Sequence, residues 1–509
     1  MANQSRVNHH GHYYTTHYAV CRGPGTLITF NAHRISVLSM TEAIKGRQIE
    51  VGVWPTFAIV GSVLAELIAL CWPTIINRGP LLFVDTRSYY LGGRVALDKV
   101  RAVFAHSGAN NDNLVQQARG VRSAFYSLFT YISTSLGSLN IPVILQAVMV
   151  ALMLRLLFRL VCPGRSRRQM SSFVIVVALT TTVSWTTSMV MPDIFTSILA
   201  LCVIVLVVFW DRISPPTLWT LVAGVAASVV MHLTNLPMAL GLLVVAAVLR
   251  FRQLWRERTR YLLIGGALGV GALAMLAVGV VGFHQWSMSP QAPPFLLARS
   301  IQDGPGRLYL QDHCPQIGLA MCHHLDRINP ASTDDFIWHD NGVYSTVSPE
   351  ERAELRAEDK RIFVAAALEH PWMQAAAMAQ NAVHQLVLFN FREYIIPSSA
   401  EVTPTAMTIT ADDPAITKPV WQVMASLPVY IVVIVSLGYA VRAWRQGWLD
   451  REFKQLFVLL VATVLIAAAA GAVSEPAPRY EARVIWLIPM LAVLCFHRRA
   501  DAAPRAGLR

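Results

Sequence analysis

The chain has 509 residues, of which 54% are hydrophobic and only 14% are charged, whereas soluble proteins typically carry about 25% charged residues. This composition excludes an ordinary soluble protein and indicates a polytopic membrane protein. The formal net charge of +12 would also suit a nucleic-acid-binding protein, but Lys and Arg cluster in short segments between apolar runs and no nucleic-acid motif is present, so the charge is better explained by membrane orientation.

The first 50 residues form a polar segment that is rich in His and Arg and lacks the apolar core of a signal peptide. We expect residues 1–50 to be disordered and cytoplasmic. Whether translation starts at Met1 or at Met40 stays open, because Thr41 to Val53 leads directly into the first apolar run.

Ten apolar runs are long enough to cross roughly 30 Å of hydrocarbon. They lie near 54–76, 140–161, 171–190, 194–210, 216–233, 236–249, 261–283, 420–441, 455–473 and 484–497. The runs at 194–210 and 236–249 are short, so we expect tilted, broken or re-entrant helices there. The sequence therefore predicts an all-α polytopic protein with a transmembrane bundle over 51–283, C-terminal membrane helices over 420–497 and a cytoplasmic tail over 498–509.

Short basic segments set the predicted orientation. They are Arg155 to Arg168, Arg250 to Arg260, Arg442 to Lys454, and the tail from His497. Lys and Arg favour the cytoplasmic side, and ten spans place all four segments and both termini there. The periplasmic face then holds a first loop over 77–139 and an insert over 284–419. The first loop is itself basic, which indicates either a phosphate-bearing ligand or contact with anionic lipid head groups.

The stretch from Leu81 to Tyr90 directly follows the first span. Asp85 and Tyr89 share a helical face at i,i+4, and a carboxylate just outside the membrane is suited to remove a proton from a hydroxyl group. We interpret Asp85 as a candidate general base, with Arg87, Tyr89 and Tyr90 as candidate binding residues. The alternative is an interfacial helix cap followed by an aromatic belt.

Aromatic and hydroxyl side chains alternate over 123–132, a pattern that favours a helix lying in the membrane interface. Gly137, Asn140 and Pro142 favour a break before the second span. The alternative is one continuous membrane helix from residue 123.

Three further polar residues lie at the predicted outer ends of spans. Asp193, which follows Met191-Pro192, is either a helix N-cap or a second carboxylate in the same cavity as Asp85. His232 and Asn235 form a polar face that either contacts a ligand or makes structural hydrogen bonds.

Arg479, Tyr480 and Arg483 precede the last span. The two guanidinium groups share a face if this segment is helical, and such a pair holds phosphate or diphosphate by charge-assisted bonds. The alternatives are ion pairs with Glu475 or Glu481 and contact with lipid phosphate.

We predict a small, mostly helical insert over 284–419. Ser348 and Glu351 match the capping pattern of a helix that runs to about Glu369. A second helix is predicted from Pro371 to Phe391.

Cys314 and Cys322 lie eight positions apart in this insert. In an oxidising compartment a disulfide between them is favoured over a zinc site with His323 and His324, because the spacing matches no strong zinc pattern. The sequence predicts no metal site elsewhere.

These features together resemble the integral-membrane C-type (GT-C) glycosyltransferases: a first span, an acidic residue just outside it, an interfacial aromatic helix, a bundle with short outer turns, a late soluble insert, and an Arg-Tyr-x-x-Arg element before the last helix. The resemblance implies a bundle whose first outer loop carries a catalytic acid and whose cavity takes a sugar from a polyprenyl-phosphate donor. By position, Asp85 resembles the general base and Arg479 or Arg483 the binder of the donor phosphate. Asp193, His232 and Asn235 match by location.

The resemblance implies an inverting transfer of the sugar to a glycan or lipid acceptor of the cell envelope, on the periplasmic side of a bacterial inner membrane. No cofactor is required, although the carboxylates leave room for a divalent metal. The alternatives are a transporter or flippase of lipid-linked glycan and an O-antigen polymerase or ligase. Polar residues gather at the predicted outer ends of the spans, which favours an enzyme over a transporter.

Overall fold

Apolar runs of the sequence fold into helices in the computed structural model of the protein, which describes residues 53–105, 122–328, 332–394, 397–403, 406–411 and 414–502. The predictions about residues 1–50, the start of translation and the last residues of the tail lie outside these ranges. Residues from Val60 onward form one compact unit. Of the other unit, Met1–Ile59, the structure describes only the beginning of the first helix.

The helices before the insert are α1 (Val53–Leu70), α2 (Trp72–Ile76), α3 (Val84–Ala105), α4 (Ala124–Ser135), α5 (Asn140–Val161), α6 (Arg167–Thr180), α7 (Val183–Ser188), α8 (Ile194–Val208), α9 (Pro215–Met231), α10 (Asn235–Leu249) and α11 (Arg258–Phe283). The insert contains α12 (Phe295–Asp303), α13 (Pro305–His313), α14 (Thr333–Ile337), α15 (Val343–Thr346), α16 (Pro349–Glu369), α17 (Pro371–Val387) and the strands β1 (Pro397–Thr403) and β2 (Ala406–Ala411). After these come α18 (Pro414–Arg445), α19 (Arg451–Ala470), α20 (Pro478–Ile485) and α21 (Leu487–Ala502). Short 3-10 helices lie at Trp210–Arg212, Phe251–Gln253 and Ala320–Arg327.

Five helical segments within the described ranges are long and apolar enough to cross a membrane, which indicates a membrane protein. They are Asn140–Val161, Arg258–Phe283, Met424–Arg445, Arg451–Ala470 and Pro478–Arg499. Shorter apolar helices cover Ile59–Leu70, Ile194–Val208, Pro215–Met231 and Asn235–Leu249. The prediction of a mostly helical protein with membrane-spanning helices is confirmed, while the count of ten spans stays a prediction.

Helix α8 is buried along its whole length, from Ile194 to Val208. At 1.5 Å per residue its 15 residues extend over only about 22 Å. Helices α9, α10 and α19 pack against it. Because protein surrounds it, α8 is apolar on every side and shows little amphipathic pattern.

The run predicted as one span over 171–190 is broken into α6 and α7. The break falls at Thr181 and Thr182, and the Thr182 hydroxyl donates a hydrogen bond to the Ala482 carbonyl in α20. Hydroxyl side chains that bond outside their own helix compete with the helical backbone pattern, so this polar break replaces a continuous helix.

Helices α3 and α4 approach each other very closely. A Cβ atom at Gly93 would stand 2.0 Å from the Ser127 carbonyl oxygen and 2.5 Å from Tyr131 Cβ, so the contact requires glycine. The Ser123 hydroxyl caps α4 by accepting from the Tyr126 N–H. The predicted separate helix is confirmed, and its location in the membrane interface stays a prediction.

Arg155 lies inside α5, whereas the sequence analysis counted it with the basic segment of a cytoplasmic loop. Its Nη1 atom is 2.9 Å from Glu66 Oε2 in α1, and Glu66 is fully buried. A buried carboxylate is costly unless it is paired, so this ion pair lets two otherwise apolar helices carry a charge each.

The insert has its own apolar core, which includes Leu297, Leu310, Phe336, Leu355 and Ile362. The Ser348 hydroxyl accepts from the Glu351 N–H at the start of α16, which confirms the predicted cap. The Leu297 N–H donates to Asp359 Oδ1 at 2.8 Å. Burial raises the pKa of the Asp359 carboxyl to about 6.

The last part of the insert differs from the prediction. Helix α17 ends at Val387, because the chain then turns into the bundle, where the Phe391 N–H donates to Ser426 Oγ at 3.0 Å. Strands β1 and β2 form an antiparallel pair in which Val402 lies opposite Met407. The sequence analysis predicted a mostly helical insert and no hairpin, because these strands are short and rich in Ser and Thr.

Candidate functional site

A short parallel pairing places Asp85 and Asp193 at one locus. The Leu81 N–H donates to the Ser188 carbonyl at 2.9 Å, and the Val190 N–H donates to the Leu81 carbonyl at 3.0 Å. Leu81 thereby pairs in parallel with Met189. Each aspartate lies four positions after its member of this pair, Asp85 in the first turn of α3 and Asp193 just before α8.

The side chain of Gln146 in α5 stabilises this pairing. Its Nε2 donates to the carbonyls of Thr187 at 2.8 Å and Met189 at 3.0 Å. Its Oε1 accepts from the Tyr126 hydroxyl at 2.9 Å. One fully buried amide thus fixes the segment that leads into Asp193 and connects it to α4.

Three arginines contact the two aspartates. Arg122 forms an ion pair with Asp85 Oδ1, and Arg479 Nη1 lies 3.5 Å from Asp85 Oδ2. Arg483 Nη1 lies 3.6 Å from Asp193 Oδ1. Arg479 and Arg483 therefore share α20, as predicted from their spacing, but each faces a different carboxylate.

Tyr480 lies between these two arginines. The guanidinium carbons of Arg479 and Arg483 stand 5.0 Å and 5.2 Å from its ring centroid. Arg479 also lies 4.1 Å from the centroid of the Phe83 ring. Aromatic faces attract guanidinium groups, and Arg479 Nη2 also donates to the Tyr480 hydroxyl at 3.3 Å, so these rings hold both arginines in place.

Many charged atoms at this locus have no hydrogen-bond partner among the described residues. They are both carboxylate oxygens of Asp193 and of Glu481, Nε of Arg479, and Nε and Nη1 of Arg483. Asp193, Glu481 and Arg483 are almost completely buried. Because native structures rarely leave buried polar atoms unpaired, we interpret these atoms as contact points for a polar ligand or for water.

Helix N-termini contribute partial positive charge at this site. Helices α3 and α20 both begin at this locus, at Val84 and Pro478, and α8 begins next to it at Ile194. The N-terminus of a helix carries a partial positive charge that favours anions. Three such ends together with three guanidinium groups suit an anionic group such as phosphate.

Glu393 is a site residue that the sequence analysis missed. Its Oε2 accepts from the Arg479 N–H at 3.1 Å and lies 3.9 Å from Arg479 Nε. Burial raises the pKa of the Glu393 carboxyl, and the positive charge of Arg479 opposes that rise. No sequence pattern announces this residue, since it follows α17 in an irregular segment.

Arg122 and Trp338 were also missed. Arg122 was visible only as one of several basic residues in the first loop. Its guanidinium carbon stands 5.9 Å from the centroid of the Trp338 ring, which brings the insert to the edge of the site. Asp334, one turn before Trp338, faces the same charges: burial and Glu475 raise the pKa of its carboxyl, and Arg479 lowers it.

The remaining predicted residues are only partly brought together. Tyr89 is buried beside the site, its ring 4.9 Å from that of Tyr126, and burial raises the pKa of its phenol. Tyr90 instead contacts the hairpin, donating to the Thr403 carbonyl at 3.1 Å. Arg87 is exposed and does not share the helical face of Asp85, because residues two apart on a helix do not face each other.

His232 and Asn235 follow α9. Asn235 accepts from Thr196 Oγ1 at 2.8 Å and donates to the Ser228 carbonyl at 2.7 Å, so its amide connects α8, α9 and α10. His232 Nδ1 lies 2.8 Å from Thr234 Oγ1. Burial lowers the pKa of the His232 imidazole, and the positive charges of Arg483, Arg479 and Arg122 lower it further.

Asp193 occupies the N-cap position of α8, but its side chain makes no capping bond. Its carboxylate points toward Arg483 instead.

In the insert, Cys314 and Cys322 form a disulfide. The two cysteines that were expected to pair are thus joined.

No family model matches the chain, and neither a curated protein nor a solved structure matches it.

Proposed function

We propose that the chain is a membrane glycosyltransferase of the C type, which transfers a sugar from a polyprenyl-phosphate donor to a glycan or lipid acceptor of the cell envelope. The observation that carries the proposal is the cluster of Asp85, Arg122 and Arg479 beside the ion pair Asp193–Arg483, in which several buried polar atoms make no hydrogen bond among the described residues. The reaction needs one base and one phosphate-binding group close together, and this cluster offers both. We assign the site to the periplasmic face of a bacterial inner membrane.

In the proposed reaction, the acceptor hydroxyl attacks the anomeric carbon while the bond from that carbon to the phosphate oxygen breaks. Asp85 takes the hydroxyl proton. The lipid phosphate leaves with the bonding electron pair, and Arg479 and Arg483 offset its growing charge. A single displacement inverts the anomeric centre.

The ion pairs give the base a way to become available. Arg479 bonds to Asp85 in the ligand-free protein, and a phosphate is the better partner for a guanidinium because it offers more acceptor oxygens. Donor binding would therefore draw Arg479 away from Asp85 and leave one carboxylate oxygen for the acceptor. Arg122 keeps the carboxylate oriented through its other oxygen.

The test is mass spectrometry of envelope glycans from a deletion strain that is complemented with wild type, Asp85→Asn or Asp98→Asn. Asp98 is the matched control, because it lies on the same helix, is half-exposed and forms an ion pair with Arg94 at 3.6 Å away from the arginines of the site. We expect wild type and Asp98→Asn to restore one sugar that the deletion lacks, and Asp85→Asn to reduce its transfer by about 10²- to 10⁴-fold at equal protein level.

If Asp85→Asn restores the glycan as well as wild type does, the assignment of Asp85 as base is wrong. A transporter or flippase of lipid-linked glycan would then be the better explanation, because a transport path needs no base. If the deletion changes no glycan, the glycosyltransferase proposal itself fails.

A further inference from the structure

Two helix ends in the insert meet at a cluster of metal-type donors. Helix α13 ends with Asp312 and His313, and α16 ends at Glu369, with His370 following. One ligand atom each from Asp312, Glu369 and His370 all lie within 4.8 Å of one another. The carboxyl ends of helices carry partial negative charge and favour cations.

His313 belongs to the same cluster. Its Nε2 lies 3.7 Å from Glu369 Oε2, and its Nδ1 lies 2.9 Å from the Tyr309 carbonyl oxygen. A carbonyl oxygen only accepts, so Nδ1 donates and Nε2 keeps its lone pair when the ring is neutral. Metal-binding histidines are commonly held by such a bond from the second ring nitrogen.

His370 also has a ring nitrogen that makes no hydrogen bond among the described residues. This Nε2 atom is shielded from solvent, although it lies 3.9 Å from Glu369 Oε1. The ring nitrogens of His313, at the end of α13, and of His370, directly after α16, thus both lie near the Glu369 carboxylate. A cation between these groups would satisfy all of them.

We propose that Asp312, Glu369 and His370 bind a divalent metal ion of the zinc class. One imidazole and two carboxylates are donors that zinc accepts, and His313, 3.7 Å from Glu369 Oε2, or water would fill a fourth position. Tetrahedral zinc places its ligand atoms about 3.3 Å apart, given bonds of about 2.0–2.1 Å, so the three ligand atoms, which lie within 4.8 Å of one another, must close in by up to about 1.5 Å. Asp312 and Glu369 are exposed, so their side chains are free to move that far.

The disulfide next to this cluster supports the choice of donors. Cys314 directly follows His313 and is bonded to Cys322, so neither thiol competes for the metal. The disulfide also restrains the end of α13 that carries Asp312. The proposed ion would join α13 to the α16–α17 corner and stiffen the insert.

The experiment compares full-length wild type, His370→Ala, Glu369→Gln and His339→Ala in nanodiscs with and without Zn²⁺. His339 is the matched control, because it is an exposed histidine of the insert outside the cluster. The readouts are zinc per chain by isothermal titration and hydrogen exchange at residues 309–313 and 367–371. Exchange is needed because His9, His10, His12 and His17 are expected to bind zinc as well.

We expect Zn²⁺ to slow exchange in both segments by tenfold or more in wild type and His339→Ala. His370→Ala and Glu369→Gln should lose this protection and one bound zinc per chain, with unchanged exchange in the absence of metal. If zinc protects neither segment in wild type, or protects them equally in His370→Ala, the proposal is wrong and the cluster binds no metal. Asp85→Asn should keep the protection, so this test is independent of the proposed function.

Discussion

Replacing Gln146 by leucine tests how the Leu81–Met189 pairing is held. The change removes three hydrogen bonds. The Met189 carbonyl keeps a bond from the Met191 N–H, so two buried groups lose their partner, the Thr187 carbonyl and the Tyr126 hydroxyl. At about 1–3 kcal/mol for each unsatisfied buried group, we expect Gln146→Leu to lower the free energy of unfolding by about 4 kcal/mol.

The assay is equilibrium unfolding in mixed micelles, with a double-mutant cycle. Tyr126→Phe alone should cost about 1–2 kcal/mol. The double variant should cost less than the sum of the two single variants, because both remove the same bond. Gln446→Leu is the control, since Gln446 is exposed and such a change typically stays within about 0.5 kcal/mol.

A loss below about 0.5 kcal/mol for Gln146→Leu would refute this reasoning, since it would mean that water or another group satisfies the freed atoms. Strict additivity in the cycle would refute the bond between Tyr126 and Gln146. In either case, the position of Asp193 would have to depend on other contacts.

Three further predictions use the same unfolding assay. Gly93→Ala should destabilise by several kcal/mol because its Cβ would overlap α4, whereas Gly438→Ala, with no atom within 4 Å of its Cβ, should be neutral or stabilising. Glu66→Ala should cost about 3–5 kcal/mol by leaving Arg155 unpaired, and replacing both residues by leucine should recover most of that loss. Burial raises the pKa of the Asp359 carboxyl to about 6 in the folded protein, against about 3.9 in an unfolded chain. Its protonated form therefore stabilises the fold below about pH 4, and this stability is lost as the pH rises through 6. Asp359→Asn should therefore abolish a loss of up to about 3 kcal/mol between pH 4 and 7.5; an equal pH dependence in wild type and variant would contradict this.

Periodicity and caps predicted much of the fold. Ser348 with Glu351 marked the start of α16, and the alternating aromatic and hydroxyl residues marked α4, because both signals are local. The break at Thr181–Thr182 could not be predicted, since it depends on a bond to Ala482 that lies 300 positions away. The ion pair of Arg155 with Glu66 had no local signal either, because the two residues lie 89 positions apart.

The candidate site divides in the same way. Asp85, Asp193, Arg479 and Arg483 stood out because charges beside apolar runs are unusual. Glu393 had no such signal, because only the turn after α17 carries it to Arg479. The proximity of Asp85 to Asp193 had no sequence signal either, since the Leu81–Met189 contact that brings them together is a single bridge between irregular segments.

The segment before α20 is fastened to the insert on two sides. Glu475 lies 3.6 Å from Arg299 Nη1 and accepts from the Thr333 N–H at 3.0 Å. Two residues later, the Ala477 N–H donates to Gln385 Oε1 in α17 at 2.8 Å, and Gln385 Nε2 donates to the Ala477 carbonyl at 3.0 Å. A ligand that shifts the arginines of α20 must therefore work against these contacts, and a molecule that immobilises the insert changes the cost of that shift. By thermodynamic reciprocity, each event alters the affinity for the other by the same factor.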